Sequence, residues 1–219
     1  MKLSLYAHPF SSYCQKVLIA LYENDTPFTF RMLGPEDPSA YAELEVLWPL
    51  KRFPVLVDDG RAIVETSIII EHLMLRHPGP VRLLPDDPVA ALETRMMDRF
   101  FDNYIMGPMQ RIVADHLRPP SVRDSHGVGE AKALLDTAYR WLDGAMSERT
   151  WAAGGAFSLA DCAAAPTLFY ADWVHEIAET FPAVRAYRSR LLSRPSFARA
   201  VDEARPFRAL FPPGAPDRD

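Results

Sequence analysis

The sequence predicts an α/β domain followed by an all-helical domain. Up to about residue 77, short apolar runs alternate with helical patterns, as in a chain whose strands and helices follow one another. The stretch "HPGPVRLLPDDP" at 77–88 then carries four prolines and a glycine, a composition typical of a connector. Beyond it the pattern is helical almost throughout. The predicted divisions are 1–77 for the α/β domain, 78–88 for the linker, 89–205 for the helical domain and 206–219 for a tail.

The α/β half has the pattern β-α-β followed by β-β-α. The runs "LSLY" and "FTFRML" flank a helical pattern, and Phe28, Phe30 and Met32 alternate as in a strand. Farther on, "VLV" and "AIV" flank "DDG", whose Asp and Gly suit a tight hairpin turn. The stretch "TSIIIEHLMLRH" then takes up a helical pattern.

The helical half begins with a long predicted helix, "AALETRMMDRFFDNYIMGPMQRIVADHL", with a kink at Gly107–Pro108 and an end at the prolines of 119–120. In "FSLADC", Ser158 and Asp161 have the spacing of a capping box, and we interpret this motif as structural. Further helical patterns start at Glu130, Ser158, Ala183 and Ser196.

Composition and charge narrow the class of protein. With 24 basic and 29 acidic side chains mixed along 219 residues, the chain has a net charge of −5 and no basic stripe, so nucleic acid is not an expected partner. No export signal or membrane span is expected, which favours the cytoplasm. The two cysteines, Cys14 and Cys162, do not suggest a disulfide framework. The six histidines lack ligand spacing, so no metal is expected.

The stretch "SSYC" has the spacing of a C-x-x-C redox motif in which the first sulfur is replaced by oxygen. Cys14 begins an apolar stripe with helical spacing, so we expect it to be buried and to act as a small hydrophobe. Ser11 lies at or beside the N-cap of the same helix, and Lys16 lies on the helix's other side. Spacing alone leaves open whether Ser11 only caps the helix or also takes part in chemistry.

Three stretches together resemble one family. "SSYCQKVLIAL", "FPVLVDDGRAIVETSIII" and "FSLADCAAAP" are similar, in the same order and at similar separations, to motifs of the cytosolic glutathione transferases of the serine type, which include zeta, tau and theta-like classes. The resemblance covers nearly the whole chain. It implies a thioredoxin-like N-terminal domain of order β-α-β-α-β-β-α, an all-helical C-terminal domain, glutathione as co-substrate and a homodimer.

The resemblance also assigns roles to individual residues. Ser11 falls on the family's catalytic serine, whose hydroxyl would stabilise the glutathione thiolate. The implied glutathione-binding positions are Arg52, Phe53, Pro54, Glu65 and Thr66, with Phe53 pairing through its backbone and Pro54 following a cis peptide bond. A carboxylate of glutathione would meet the start of the helix at Thr66, where free N–H groups favour an anion.

The loop before these residues departs from the family pattern. Trp48 and Lys51 stand where N-P-x-G-K-V-P would have Asn and Gly, so the loop that holds the glycine end of glutathione is expected to differ in detail.

The long helix supplies the expected wall for a second substrate. The resemblance places Tyr104 and Pro108 on the side facing the cleft, and Arg111 lies along the same stripe. Phe100 and Phe101 are expected to be core. In the tail, Phe207 and Phe211 are open to two interpretations, a lid over the site or an unstructured end.

Three functions compete at this point. The first is conjugation of glutathione to a small apolar electrophile, with dehalogenation as a variant and detoxification as the role. The second is isomerisation of the maleylacetoacetate type, because "SSYCQKV" resembles the zeta signature S-S-C-S-W-R-V, although Tyr13, Cys14 and Gln15 differ from it. The third is a binding protein that kept the fold and lost the chemistry. The sequence does not identify the electrophile.

Overall fold

The N-terminal half is built on a four-stranded sheet. In this computed structural model, which describes residues 2–219, the sheet order is β2-β1-β3-β4, with β1 and β2 parallel and the other pairs antiparallel. The elements of this half are β1 (Leu3–Ala7), α1 (Ser12–Glu23), β2 (Thr29–Met32), α2 (Pro38–Leu47), β3 (Val55–Asp58), β4 (Arg61–Ile63) and α3 (Thr66–Arg76). The predicted order β-α-β-α-β-β-α is confirmed.

The predicted hairpin joins β3 to β4 through Asp59 and Gly60. Both residues have positive φ, 46° and 87°, which defines a type I′ turn and matches the right-handed twist of the flanking strands. Asp58 and Arg61 form the pair that closes the hairpin. The turn therefore fixes the position of Asp58 at the end of β3.

The C-terminal half is helical, as predicted. Its helices are α4 (Pro88–Phe100), α5 (Gly107–His116), α6 (Ser125–Met146), α7 (Leu159–Val174), α8 (Pro182–Leu192) and α9 (Pro195–Ala204). The long predicted helix is interrupted by a π-helical turn at Phe101–Met106, one turn before the predicted kink, and Pro108 lies in the first turn of α5. The capping box at the start of α7 is present, with the Ser158 N–H donating to the Asp161 carboxylate at 2.9 Å.

Helix α1 lies between the sheet and the helical domain, where it packs against α3, α7 and α9. As a result both faces are buried: Cys14 is fully buried, but so is Lys16, at 1% exposure. The side of α1 that carries Lys16 therefore faces protein. Phe100 and Phe101 are buried, as expected.

The tail folds back onto the helical domain. A 3₁₀ turn at Arg205–Leu210 leads to Phe211, which is buried against Trp173 with ring centroids 5.1 Å apart. An ion pair between Arg208 and Asp219, at 3.2 Å, fastens the end of the chain. Among residues 2–219, no helix is both long and apolar enough to cross a membrane.

Candidate active site

Ser11 caps the first helix. Its backbone is extended, with φ −84° and ψ 124°, and its N–H donates to the carbonyl of His8 at 3.0 Å, which fixes the loop between β1 and α1. The Ser11 hydroxyl oxygen accepts a hydrogen bond from the Cys14 N–H at 3.4 Å. Because this bond uses a lone pair of the oxygen, the hydroxyl proton remains free to be donated elsewhere.

Cys14 has the opposite environment. Its sulfur is fully buried, and burial raises the pKa of the thiol to about 12. At neutral pH the side chain is therefore a protonated thiol, and the thiolate is the nucleophilic form of cysteine. Cys14 is a core residue, as the apolar stripe predicts.

One cavity collects the predicted binding residues. It has a volume of about 470 Å³, and Ser11, Arg52, Phe53, Pro54, Glu65 and Thr66 all line it. The helical domain closes the other side with Arg99, Asp102, Asn103 and Gln110. The cavity is therefore a cleft between the two domains.

The peptide bond between Phe53 and Pro54 is cis. It lies in the loop directly before β3, so Phe53 presents its backbone at the edge of the cleft. Outside the regular helices and strands of residues 2–219, no backbone hydrogen bond uses the N–H or C=O of Phe53. These groups are available to pair with the backbone of an extended peptide.

Glu65 has an uncommon backbone conformation for a residue other than glycine. Its φ is 68°, a left-handed value that costs about 1–3 kcal/mol, and such residues cluster at functional sites. Glu65 is the N-cap of α3 without a side-chain capping bond, so its exposed carboxylate remains free. Thr66, which follows, lies in the first turn of α3, where unpaired N–H groups and the helix dipole favour an anion.

The departure of the preceding loop from the family pattern has a structural counterpart. Lys51, which stands at the glycine of that pattern, has a φ of 55°, a conformation that glycine adopts without cost. The loop thus keeps a left-handed backbone in spite of the substitution. The Lys51 ammonium lies 2.7 Å from the Glu45 carboxylate, on the surface beside the cleft.

A buried ion cluster, not predicted from the sequence, joins the domains behind the cleft. Lys16 of α1 lies 2.6 Å from Asp98 and 2.9 Å from Asp102, and it donates to the Ser67 hydroxyl at 3.1 Å. Arg99 lies 2.7 Å from Asp98 and 2.6 Å from Asp102. Burial by itself raises the pKa of the Asp98 carboxyl, but the neighbouring Lys16, Ser67 and Arg99 outweigh burial and hold that pKa below its ordinary value. The part of the cluster that a sequence motif contains is Lys16, the basic residue of the stretch "QKV".

Tyr13 also lines the cleft, although no sequence motif selected it. Burial raises the pKa of its phenol to about 12. Tyr13 is therefore a hydrogen-bond donor at neutral pH and a second hydroxyl near Ser11.

A second cavity of about 360 Å³ adjoins the first and shares Ser11, Arg52 and Gln110 with it. Its remaining walls are mainly apolar and come from the loop after β1, from the start of α1, from α5, from α7 and from the tail: Phe10, Ser12, Met109, Val113, Ala114, Leu117, Tyr170, Leu210, Phe211 and Pro212. Tyr170 is held in place because its hydroxyl donates to the Phe10 carbonyl and accepts from Gln15, both at 3.1 Å.

Within residues 2–219, Tyr104, Pro108 and Arg111 line neither cavity. Tyr104 is half exposed beside Phe100, Pro108 is buried, and Arg111 pairs with Glu130 at 3.2 Å. The residues of this segment that line the cleft are Arg99, Asp102, Asn103 and Gln110, which keep helical intervals of three, four and seven. The face that meets the cleft therefore lies beside the predicted one on the same helical segment.

Comparison with known proteins agrees with this geometry. Residues 5–81 match the family described as glutathione S-transferase, N-terminal domain, and residues 122–190 match glutathione S-transferase, C-terminal domain. A solved glutathione S-transferase from Methylobacterium radiotolerans, in complex with glutathione sulfonate, is 27% identical and has a TM-score of 0.79 over 92% of this chain and 95% of that one. The chain belongs to the glutathione S-transferase family.

Relatives with other names are similar to the same extent. FtsZ-localized protein A of Caulobacter vibrioides is 28% identical over 89% of this chain and 88% of its own. Maleylacetoacetate isomerase of Pseudomonas aeruginosa is 27% identical over 91% of this chain and 95% of its own. Family membership is therefore shared by proteins whose names describe different functions.

Proposed function

We propose that this protein is a glutathione transferase that stabilises the glutathione thiolate with Ser11 and conjugates it to a small apolar electrophile. The observation that carries the proposal is the position of the Ser11 hydroxyl. It lies at the start of α1, on the same cleft as the cis Phe53–Pro54 peptide and the strained Glu65.

Glutathione would lie across the thioredoxin-like side of the cleft. The Glu65 carboxylate would pair with the γ-glutamyl ammonium, and the N–H groups at the start of α3 near Thr66 would hold the glutamyl carboxylate. The backbone of Phe53 would pair with the cysteinyl unit, before the cis bond to Pro54. Arg52 would hold the carboxylate at the glycine end.

This arrangement would bring the sulfur to Ser11. A free thiol has a pKa of about 8.5 and is mostly protonated at neutral pH. The Ser11 hydroxyl donates a hydrogen bond to the sulfur, and the N-terminus of α1 adds positive potential. A decrease of one or two pKa units corresponds to about 1.4–3 kcal/mol of thiolate stabilisation.

The apolar cavity beside Ser11 is the proposed site of the electrophile. The thiolate attacks an electrophilic carbon held against Phe10, Val113 and Tyr170, a carbon–sulfur bond forms, and the electron pair leaves with the displaced group or moves onto the activated acceptor. Detoxification of such compounds in the cytoplasm is the proposed role.

The test compares three hydroxyls at one site. Ser11→Ala should raise the pKa of bound glutathione by one to two units and reduce turnover at neutral pH. Ser12→Ala, which loses a hydroxyl bonded to the Met106 sulfur at 3.3 Å, should leave that pKa unchanged. Thiolate absorbance in the ultraviolet, followed against pH for each glutathione complex, measures the pKa. Should Tyr13→Phe move that pKa while Ser11→Ala leaves it in place, Tyr13 is the donor and the serine mechanism is wrong.

Two alternatives are tested with the same protein. The likeness to maleylacetoacetate isomerase favours a glutathione-dependent isomerase, in which the thiolate adds reversibly to a conjugated double bond and is released after rotation. The likeness to FtsZ-localized protein A favours a binding protein. Turnover of a cis-dienone without consumption of glutathione would support the isomerase. Binding of glutathione with no turnover of the apolar electrophiles or of the cis-dienone would support the binding protein.

We also propose a homodimer. Apolar side chains are exposed on two adjacent helices, Ile68 and Leu75 on α3 and Leu92 and Met96 on α4, with Leu75 at 81% exposure. A two-fold contact would cover this surface. Sedimentation that shows only a 24.7 kDa monomer at micromolar concentration would contradict this proposal.

A further inference from the structure

A second cluster of chemically active side chains lies at the other end of β3 and α3. The Nε2 atoms of His72 and His77 lie 2.8 Å and 2.9 Å from the same Oδ2 atom of Asp58. The potential ligand atoms of the three residues all lie within 4.8 Å of one another. No sequence motif indicates this cluster, because its members come from a strand, a helix and a helix cap.

Each member of the cluster is held by backbone structure. Asp58 ends β3 and belongs to the pair that closes the type I′ hairpin. His72 lies in the second half of α3. His77 is the C-cap of α3, and its N–H donates to the Leu73 carbonyl at 2.7 Å. The cluster is therefore formed by the sheet and the helix.

The Asp58 carboxylate is unusual for a structural ion pair. It is buried, at 8% exposure, yet both imidazoles approach one of its oxygens, and in residues 2–219 the other oxygen, Oδ1, has no hydrogen-bond partner. An unpaired buried acceptor is unfavourable, which makes this arrangement incomplete as a purely structural one. A cation shared by the three side chains would balance the buried negative charge, and Oδ1 would then lie beside that cation.

We propose that Asp58, His72 and His77 form a binding site for a divalent transition-metal ion, with Zn²⁺ as the best-matched ion. Two histidines and one carboxylate are a common donor set for zinc when a fourth position stays open. This proposal does not depend on the proposed glutathione chemistry.

The geometry requires only a small adjustment. Ligands at 2.0–2.1 Å from a tetrahedral ion are separated by roughly 3.3 Å, so the two histidine nitrogens must each move away from Asp58 Oδ2 by about 0.5 Å. Each neutral imidazole would carry its proton on Nδ1, so that Nε2 presents a lone pair to the metal. The two histidine nitrogens, which lie within 4.8 Å of each other, must reach the same separation through rotation of their side chains.

The fourth position is supplied by a cavity. A space of about 320 Å³ adjoins Asp58 and His72, with room for water or a small ligand. Asp59 lines the same cavity and accepts a hydrogen bond from the Lys2 N–H at 3.0 Å. The exposed Arg61 and Arg76 also line it, and their two positive charges outnumber the Asp59 carboxylate and would favour an anionic ligand on the metal. The ion would clamp the end of β3 to the end of α3, opposite the end of α3 where Glu65 and Thr66 line the cleft.

Metal titration of the full-length, metal-depleted protein tests the site. Zn²⁺ is added without glutathione, in competition with a chromophoric chelator, to the wild type and to Asp58→Asn and His77→Ala. We expect each substitution to weaken Zn²⁺ binding roughly 100-fold or more. The control is His126→Ala, which removes a histidine of 87% side-chain exposure on α6 and should leave the affinity unchanged.

Co²⁺ gives a readout that needs no variant. Bound at Asp58, His72 and His77 it should show the visible d–d bands of a four-coordinate ion without a thiolate charge-transfer band. Saturating Zn²⁺ should also raise the melting temperature of the wild type by roughly 5 °C. Absence of binding, a cysteine charge-transfer band, or equal affinities in His77→Ala and His126→Ala would each overturn the proposal.

Discussion

The two sides of the cleft are built in different ways. The thioredoxin-like side is formed mainly by backbone: a cis peptide before Pro54 and left-handed residues at Lys51 and Glu65. The helical side is formed by side chains: Asn103 and Gln110 in the cleft, and Met109, Val113 and the tail residue Phe211 in the adjoining cavity. A backbone-built surface tolerates little variation and suits one invariant ligand, whereas a wall of side chains can be changed one residue at a time.

The buried ion cluster of Lys16, Asp98, Arg99 and Asp102 joins these two sides. It lies behind the cleft, and two of its members, Arg99 and Asp102, also line the cleft wall. Disruption of the cluster should therefore affect the whole molecule, while changes on either side of the cleft should affect one ligand each.

The largest effect is expected for Lys16→Met. This substitution keeps the apolar stem but removes the ammonium, so that Arg99 is the cation left beside the buried Asp98 and Asp102. Breaking a buried ion pair in this way should lower the free energy of unfolding by about 3–5 kcal/mol. Denaturant unfolding monitored by circular dichroism measures the change.

The matched control is Lys51→Met, which breaks an exposed pair with Glu45 and should cost at most about 1 kcal/mol. Equal losses in the two variants would show that the cluster does not join the domains energetically.

The pH dependence of stability gives a second check on the ion cluster. Because the folded-state pKa of Asp98 is lowered, its contribution is complete above its ordinary pKa of about 3.9 and is lost as the pH falls through the lower folded value. The difference between the wild type and Lys16→Met should therefore shrink below about pH 4.

The sequence predicted the backbone-built side better than the ion cluster. The positions of Ser11, Glu65 and Thr66 follow from short motifs, because a helix cap and a strand end are determined locally. The burial of Lys16 depends on two domains meeting over α1, and a helical stripe shows only which side is apolar, not what covers the other side. Its charge partners lie on α4 and the π-helical turn, far along the chain.

The second prediction is Glu65→Ala. Removal of this carboxylate should weaken glutathione binding by about 1.5–3 kcal/mol, the range for a hydrogen bond to a charged group. Alanine at a φ of 68° is strained much as glutamate is, so the stability of the protein should change little. Calorimetric titration with glutathione measures the affinity.

Glu130→Ala serves as the control, because Glu130 is an exposed glutamate on α6 that pairs with Arg111. Its glutathione affinity should equal that of the wild type. If Glu65→Ala binds glutathione as tightly as the wild type, the proposal that the glutamyl end of glutathione binds at the start of α3 is wrong.

The side-chain wall was the least predictable part of the site. The family resemblance selected Tyr104 and helical spacing selected Arg111, but neither lines the cleft or the adjoining cavity, because the face that meets the cleft carries Arg99, Asn103 and Gln110. Phe207 and Phe211 were left open because an apolar tail after the last helix has no local signal for where it packs. Tertiary packing decides both outcomes, and neither is encoded within a few neighbouring residues.

The smallest effect is expected for Leu210→Ala, which tests the wall directly. Leu210 lines the apolar cavity and is 61% exposed, so its truncation should cost little stability. Loss of its contact with an apolar electrophile should weaken that substrate by about 1 kcal/mol, or roughly fivefold in KM, and leave the KM for glutathione unchanged. The same truncation at Leu134, exposed on α6 and outside both cavities, is the control.

Kinetics with a homologous series of alkyl electrophiles make the Leu210→Ala test sharper. The loss of affinity for the electrophile should grow with the length of its alkyl chain until that chain extends past the tail of the protein. A loss of the same size for every member, or one that also appears in the KM for glutathione, would show that the tail acts on the whole cleft, and the contrast between the two sides would fail.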